Sequence, residues 1–274
     1  MCTRQGAPAP MSAASNPTVA AAAAPAAQQQ AATPTGLAAA QDFDAIAEHM
    51  ANTHGIAVSP RLMQTVAVDT LRTACEGIEA VINEFPAVKA YVHTLSDGAH
   101  GSSIAQVNPA GDIQINTSTY RTMRSLNATV QQNLQSHHHP AGTGGKEFTS
   151  HEVGHMLGLM LCEATVRAEI AKQVLAGQPA PSRFAIRSAV IADWNNNTTS
   201  DKFIARAVKN INNRAKRTGH SQTTQAALIS HVSGYAQTDT GEALAECVAD
   251  YVANGQNARR LSREVWRLLK KELT

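Results

Sequence analysis

Residues 151–155 read His-Glu-Val-Gly-His, and this stretch is the most informative part of the sequence for the fold and the site. Residues four apart in an α-helix lie about 40° apart around its axis, so His151 and His155 project from one face and can bind a single tetrahedral metal ion. Glu152 follows the first histidine and can reach a water molecule on that ion, where it would act as a general base. This spacing is typical of zinc hydrolases.

The residues after the motif favour the helix that this geometry requires. Apolar residues recur there at helical spacing and form a stripe on a different face from the two histidines. The stripe consists of Val153, Met156, Leu157, Met160 and Leu161. Leu161 also stands where the longer three-histidine metalloprotease motif places its last ligand, so that class is excluded. A third ligand must come from elsewhere in the chain.

The best source of a third ligand is the segment 241–250, which reads Gly-Glu-Ala-Leu-Ala-Glu-Cys-Val-Ala-Asp. Its acids, Glu242, Glu246 and Asp250, are four residues apart and lie along one face of a predicted helix. One acid can complete a site of two histidines and one glutamate, and the next can accept the second ring N–H of a ligand histidine. The spacing allows two assignments: Glu242 as ligand with Glu246 behind it, or Glu246 as ligand with Asp250 behind it.

Composition bounds the class of protein. The 274 residues are 43% hydrophobic and 16% charged, with a formal net charge of +2. No window approaches the roughly 18 to 20 apolar residues of a membrane-spanning helix, and the near-neutral charge gives no case for nucleic-acid binding. Residues 1–41, rich in Ala, Pro and Gln, are predicted to be a disordered tail rather than a signal peptide, followed by one folded domain over 42–274. We therefore expect a cytoplasmic protein.

Three motifs together resemble a known family. His151-Glu-Val-Gly-His155, Ser233-Gly-Tyr-Ala236 and Glu242-Ala-Leu-Ala-Glu246 are similar to the catalytic core of gluzincin metallopeptidases of the anthrax lethal factor type. They also resemble related metallopeptidase domains encoded by phages and prophages. In that pattern a tyrosine stands seven residues before the ligand glutamate, as Tyr235 stands before Glu242. The resemblance therefore favours the first of the two assignments.

The resemblance implies a role for each matched residue. Glu152 would activate the water, Glu246 would orient a ligand histidine, and Tyr235 would stabilise the oxyanion of the tetrahedral intermediate. The substrate would be a protein or peptide, with a phage capsid protein or a host protein as candidates. The protein would then be carried in the virion or delivered to a host. The Zn²⁺ ligands would be His151, His155 and Glu242.

The predicted fold class is α+β: a zincin-like metalloprotease domain with a small mixed sheet followed by a mostly helical C-terminal half. The segment 103–107 or the segment 113–115 would be an edge strand that pairs with extended substrate. Strands are predicted at 89–95, 103–108 and 113–115, and helices at 61–85, 118–135, 147–173, 182–194, 201–216, 221–233, 241–254 and 258–273.

The alternative function comes from a different class. The protein would be a phage-associated structural or morphogenesis protein whose zinc site is a relic or serves only to stabilise the fold.

Two other features of the sequence have simpler interpretations. The triplet His137-His138-His139 is predicted to lie in a solvated loop, with adventitious metal binding or a His139 that lines the cleft as the alternatives. The basic helices, at 201–217 and 258–271, are predicted to carry their charge on solvent-exposed faces.

Overall fold

The computed structural model describes residues 36–99, 101 and 103–274, which fold as a mixed α+β domain. Most of the predicted tail, 1–41, lies outside these residues. Its last part does not: Gly36–Ala39 forms a 3-10 turn, and Leu37 is buried in the core. The folded part therefore begins before residue 42. The helices are α1 Phe43–His49, α2 Pro60–Met63, α3 Val68–Glu84, α4 Thr117–Tyr120, α5 Met123–Gln135, α6 Glu147–Leu175, α7 Arg183–Asn195, α8 Thr198–Arg217, α9 Gln225–Ser230, α10 Thr240–Asn254 and α11 Arg260–Leu273.

The sheet is small and mixed, as predicted. Its strands are β1 Ala57–Val58, β2 Thr94–Asp97, β3 Ala105–Val107 and β4 Asp112–Ile115. Their order is β1-β2-β4-β3; the first three are parallel to one another, and β3 pairs with β4 in the antiparallel sense at one edge. The strands predicted at 103–108 and 113–115 are therefore β3 and β4. Because β4 lies inside the sheet, only β3 of these two can pair with another chain.

The strand predicted at 89–95 is wrong over most of its length. Residues Pro86–Tyr91 form a 3-10 helix, and the strand begins only at Thr94. Pro86 stands at the start of this helix, where its fixed φ favours helical backbone and its missing N–H costs nothing. The apolar residues of the segment are buried by this turn rather than by alternation along a strand.

The helix predicted at 61–85 is two helices, α2 and α3. Thr65 ends α2 because its hydroxyl and its backbone N–H both donate to the carbonyl of Leu62, each at 2.9 Å. Such a local bond competes with the helical hydrogen bond and favours a turn. The apolar spacing continues across this break, so periodicity alone did not reveal it.

Two other helix boundaries also differ from the prediction. The helix predicted at 118–135 is divided into α4 and α5, because Thr122 and Ser125 form a reciprocal capping box that starts a new helix. The helix predicted at 221–233 is shorter, and α9 begins after Thr224, whose side chain accepts from the N–H of Ala227. Both corrections come from caps that use ordinary Ser and Thr residues.

The centre of the domain is the first half of α6. This helix is buried from Glu147 to Cys162, except at the half-buried His155, and is mostly exposed beyond that point. Helix α3 crosses its start closely, since a Cβ on Gly77 would lie 1.9 Å from the carbonyl oxygen of Lys146. Thr149 secures the crossing by donating a 2.7 Å hydrogen bond to the carbonyl of Ala74. Helix α10 packs along the same half of α6.

The two basic helices, α8 and α11, pack against each other. Glu264 of α11 accepts from Arg214 and from Arg267, each at 2.6 Å, so part of their positive charge is neutralised. Among the residues that the structure describes, no helix combines the length and the apolar character needed to cross a bilayer.

Candidate metal centre

Three side chains from two helices meet at one point. His151 and His155 are one turn apart on α6, and Glu242 lies in the first turn of α10. The Nε2 atoms of the two histidines are 3.1 Å apart, and Oε2 of Glu242 lies 3.1 and 3.3 Å from them. Ligands of a tetrahedral zinc ion, each about 2.0–2.1 Å from the metal, lie about 3.3 Å from one another. The three atoms therefore form a triangle of the size of one face of such a tetrahedron.

The oxygen of Glu242 in this triangle makes no well-aligned hydrogen bond. Oε2 is buried and has no aligned partner among the described residues, whereas Oε1 accepts from the Tyr235 hydroxyl at 3.2 Å. Burial raises the pKa of Glu242, but the rings of His151 and His155 outweigh it and hold that pKa far below its usual range. The carboxylate is therefore ionised, and its buried Oε2 has two ring nitrogens close by, neither of them aligned to donate a hydrogen bond. A divalent cation between it and the ring nitrogens fits these residues.

The next acid on α10 supports the triangle from behind. Glu246 is fully buried, and its Oε1 lies 2.8 Å from Nδ1 of His151, the ring nitrogen remote from the triangle, in an approach that is close but not aligned as a hydrogen bond. Asp250 contacts Arg259 and Asn254 instead of a histidine. The structure thus brings together the residues of the first assignment and not those of the second.

Glu152 faces the cleft beside the triangle. Its side chain is buried, and no described residue contributes a hydrogen bond to its carboxylate. Burial raises the pKa of Glu152, although the neighbouring His151 and His155 partly oppose this rise. A carboxylate without a protein donor and with an increased affinity for protons is suited to take a proton from a water molecule and pass it on.

Tyr235 lies against the same site. Its ring stacks on His151 with centroids 5.8 Å apart, and its hydroxyl donates to Glu242. Burial and the neighbouring Glu242 raise the pKa of Tyr235, so the phenol stays protonated and remains a donor at neutral pH. In this structure the phenol therefore orients the Glu242 carboxylate. The oxyanion role implied by the resemblance would require the same O–H to turn toward a substrate.

His139 lies at the site, although the sequence favours a solvated loop for the whole histidine triplet. His137 and His138 are exposed, as predicted, but the side chain of His139 is only 11% exposed and its Nδ1 lies 2.8 Å from Oε1 of Glu246. Ser233 donates to the other oxygen of Glu246 at 2.8 Å. Burial raises the pKa of Glu246, but His139 and His151 outweigh it and lower the pKa to about 2. The ionised Glu246 therefore joins the loop to the centre.

Main-chain contacts place that loop beside Tyr235. The carbonyl of His137 accepts from the N–H of Gly234 at 2.7 Å, and the carbonyl of His138 accepts from the N–H of Tyr235 at 3.0 Å. The loop and the segment that carries the tyrosine are thus bonded together. No residue type in either segment signals this pairing, so sequence alone could not reveal it.

A cleft of about 300 Å³ opens at the triangle, between β3 on one side and α6 and α10 on the other. In the antiparallel pair, Asn116 donates to the carbonyl of Ile104 and Asn108 donates to the carbonyl of Asp112. Alternation along the strand therefore turns residues 104, 106 and 108 toward β4. The peptide groups that face away from the sheet at this edge are those of Ala105 and Val107, and both residues line the cleft.

A second group of His and Glu side chains has a different character. His49, His54 and Glu79 also place one atom each within 4.8 Å of one another. There, however, both Nε2 atoms lie 2.7 and 2.9 Å from the same oxygen of Glu79, so each neutral ring can donate its N–H to one carboxylate oxygen. Hydrogen bonds therefore satisfy this oxygen of Glu79, whereas Oε2 of Glu242 in the triangle is buried and makes no aligned hydrogen bond.

The site is thus a candidate metal centre of two histidines and one glutamate, with a buried carboxylate beside it, in a mixed α+β domain. No family model, curated protein or solved structure matches this chain. Its function has to be argued from these residues and their chemistry.

Proposed function

We propose that this protein is a zinc-dependent endopeptidase of the gluzincin type, with a zincin-like fold. The observation that carries the proposal is the triangle formed by His151, His155 and Glu242, which has the size of a zinc coordination face and includes a buried carboxylate oxygen with no aligned hydrogen bond. A set of two histidines and one glutamate leaves a fourth position for water or substrate, as catalytic zinc sites require.

The residues around the triangle fit peptide hydrolysis. A bound zinc ion would supply Lewis-acid chemistry, polarising the scissile carbonyl and lowering the pKa of water. Glu152 would take the proton from the attacking water and return it to the leaving amine, for which its raised pKa is suitable. Tyr235 would donate its O–H to the oxygen of the scissile carbonyl as negative charge develops there.

The substrate class follows from the edge of β3. The outward peptide groups of Ala105 and Val107 can pair with an extended polypeptide, which would place one of its carbonyls beside Glu152. Free backbone donors and acceptors along a strand recognise any polypeptide main chain, and the cleft provides them next to the candidate metal centre. An extended protein or peptide substrate therefore fits this site; a phage capsid protein and a host protein are the candidates that the resemblance implies.

The test compares the wild-type protein with Glu152→Gln. We expect about one zinc ion per chain in both proteins and cleavage by the wild type alone, with at least a 100-fold loss in the variant. Zinc content is measured by mass spectrometry and cleavage by proteomic mapping on capsid and host proteins. His155→Ala is the matched control that should lose zinc as well. Zinc in the wild type without cleavage of any protein would favour the structural alternative.

A further inference from the structure

A groove of about 790 Å³, here called the α7 groove, lies beyond the metal-binding turn of α6. One wall is the part of α6 that follows His155, including Leu159. The opposite wall is α7, which contributes Ile186 and Val190. The turn between β3 and β4 contributes Pro109. Helix α7 belongs to the segment between His155 and Tyr235, which separates the first of the three motifs from the second.

The α7 groove continues from the cleft at the candidate metal centre. Each of three parts of the chain lines both the cleft and the groove, and a pair of residues from each part shows this. These pairs are His155 and Leu159 on α6, Trp194 and Val190 on α7, and Val107 and Pro109 on β3 and the turn after it. Along α6, Leu159 is about 6 Å from His155, and Glu163 is about 12 Å from it. An extended polypeptide covers these distances with about two to four residues.

The charge in the groove is positive. Arg183 and Arg187 lie one turn apart on α7, both are exposed, and neither forms an ion pair with any residue that the structure describes. Arg167, by contrast, is paired with Glu163 at 2.6 Å, so these two charges cancel. Two free guanidinium groups beside an apolar wall would bind a carboxylate next to an apolar side chain.

The direction of a bound chain follows from the direction of β3. Ser103 and Ala105 lie toward the end of the cleft that holds His139, and the strand then runs toward Pro109 in the α7 groove. Antiparallel pairing is the more stable arrangement of two strands. A polypeptide paired with β3 in this sense has its N-terminal part in the groove.

We propose that the α7 groove binds the substrate polypeptide on the N-terminal side of the cleaved bond and selects acidic side chains there through Arg183 and Arg187. The inference rests on the proposed function and adds a substrate class to it. The acidic residue would lie two to four positions before the cleaved bond, the distance from His155 to the groove.

The test uses a proteome-derived peptide library digested by the full-length protein and read by mass spectrometry. We expect the wild type to favour Asp or Glu two to four residues before the cleaved bond. Arg183→Glu combined with Arg187→Glu should abolish that preference and lower kcat/KM for an acidic peptide by about tenfold relative to its amide counterpart. Arg183 stands in the first turn of α7, where glutamate is favourable, and both positions are exposed, so the variant should fold.

The matched control is Arg121→Glu combined with Arg124→Glu. These arginines are exposed, line neither the cleft nor the groove, and give the same change in net charge. The control should keep the wild-type preference. Cleavage with no acidic preference, or with a preference that the groove variant retains, would overturn the inference while leaving the proposed function intact. Zinc-loaded wild type that cleaves nothing would refute the proposed function and the inference with it.

Discussion

Gly154 of α6 lies so close to Ala245 of α10 that no side chain fits between them: a Cβ at residue 154 would be 2.9 Å from the Cα of Ala245. Gly154 stands between the two histidines of the triangle, and Ala245 stands between Glu242 and Glu246. The separation of the helices at this contact therefore sets the distance from the histidine rings to both carboxylates.

Replacing Gly154 by alanine should open the metal centre. The new methyl group meets backbone rather than the end of a flexible side chain, so the helices must separate. We expect a loss of zinc affinity of at least tenfold and a destabilisation of about 1–3 kcal/mol, measured by metal competition and by denaturant unfolding. The control is Gly158→Ala on the same helix, where the nearest atom is 3.9 Å away. It should keep its zinc affinity and gain about 0.5–1 kcal/mol from helix propensity.

Replacing Glu246 by glutamine should weaken zinc binding by about 10- to 100-fold. The amide has one oxygen where the carboxylate has two, so it cannot accept from both Ser233 and His139, and it carries no negative charge to place beside the ring of His151. Competition with a chelating dye measures the affinity. Asp250→Asn, one turn further along α10, should lower the melting temperature through its contact with Arg259 but leave zinc affinity unchanged. Loss of zinc affinity in Asp250→Asn as well as in Glu246→Gln would support the second assignment, in which Glu246 is the ligand and Asp250 lies behind it.

Replacing Tyr235 by phenylalanine should lower kcat by about 100-fold with little change in KM, because the lost O–H would act on charge that develops in the transition state. Zinc affinity should fall by less than tenfold, since Glu242 loses one hydrogen bond but remains in place. Peptide kinetics and metal competition separate these effects. Tyr251→Phe, whose hydroxyl accepts from Gln256 outside the cleft, should retain full activity. A normal kcat in Tyr235→Phe would show that Tyr235 does not stabilise the oxyanion.

Removal of the metal should destabilise the folded protein. An ion that binds only the native state contributes about 4 kcal/mol at a free concentration 1,000 times its Kd, which corresponds to roughly 10 °C in melting temperature for a domain of this size. Thermal unfolding before and after dialysis against a chelator measures this change. His155→Ala should melt at the same temperature under both conditions, and a chelator effect of equal size in that variant would place the bound ion elsewhere.

Glu264 should make the free energy of unfolding depend on pH in the acid range. Burial raises the pKa of Glu264, but hydrogen bonds from Arg267, Arg214 and Asn210 outweigh it and lower the pKa from 4.5 to about 2. Because the folded-state value is the lower one, the stabilisation is complete above pH 4.5 and is lost as the pH falls toward 2. The arginine partners are about half exposed, so we expect about 1–2 kcal/mol.

Glu264→Gln should remove this pH-dependent term, as measured by urea unfolding between pH 2 and 6. Glu169→Gln, in an exposed pair with Lys172, should leave the curve unchanged. Identical curves for the Glu264 variant and the wild type would show that the cluster contributes nothing.

The parts of the site that follow from local helix geometry could be predicted. His151 and His155 share a face because four residues make about one turn. Glu242 and Glu246 lie on one side of α10 for the same reason. Spacing alone could not decide which acid enters the triangle, because that depends on how α10 lies against α6 at Gly154. His139 depends on main-chain bonds to a segment almost a hundred residues away. The α7 groove likewise arises only from tertiary packing.

The free edge of β3 has a consequence for the molecule's behaviour in concentrated solution. A bare sheet edge can pair with the edge of another molecule, which is a common route to aggregation. Here α6 and Trp194 line the same cleft as that edge. An incoming sheet would collide with these neighbours, whereas a single extended strand can enter beside them. The walls that leave room for one polypeptide chain thus also protect the protein from self-association through its own sheet.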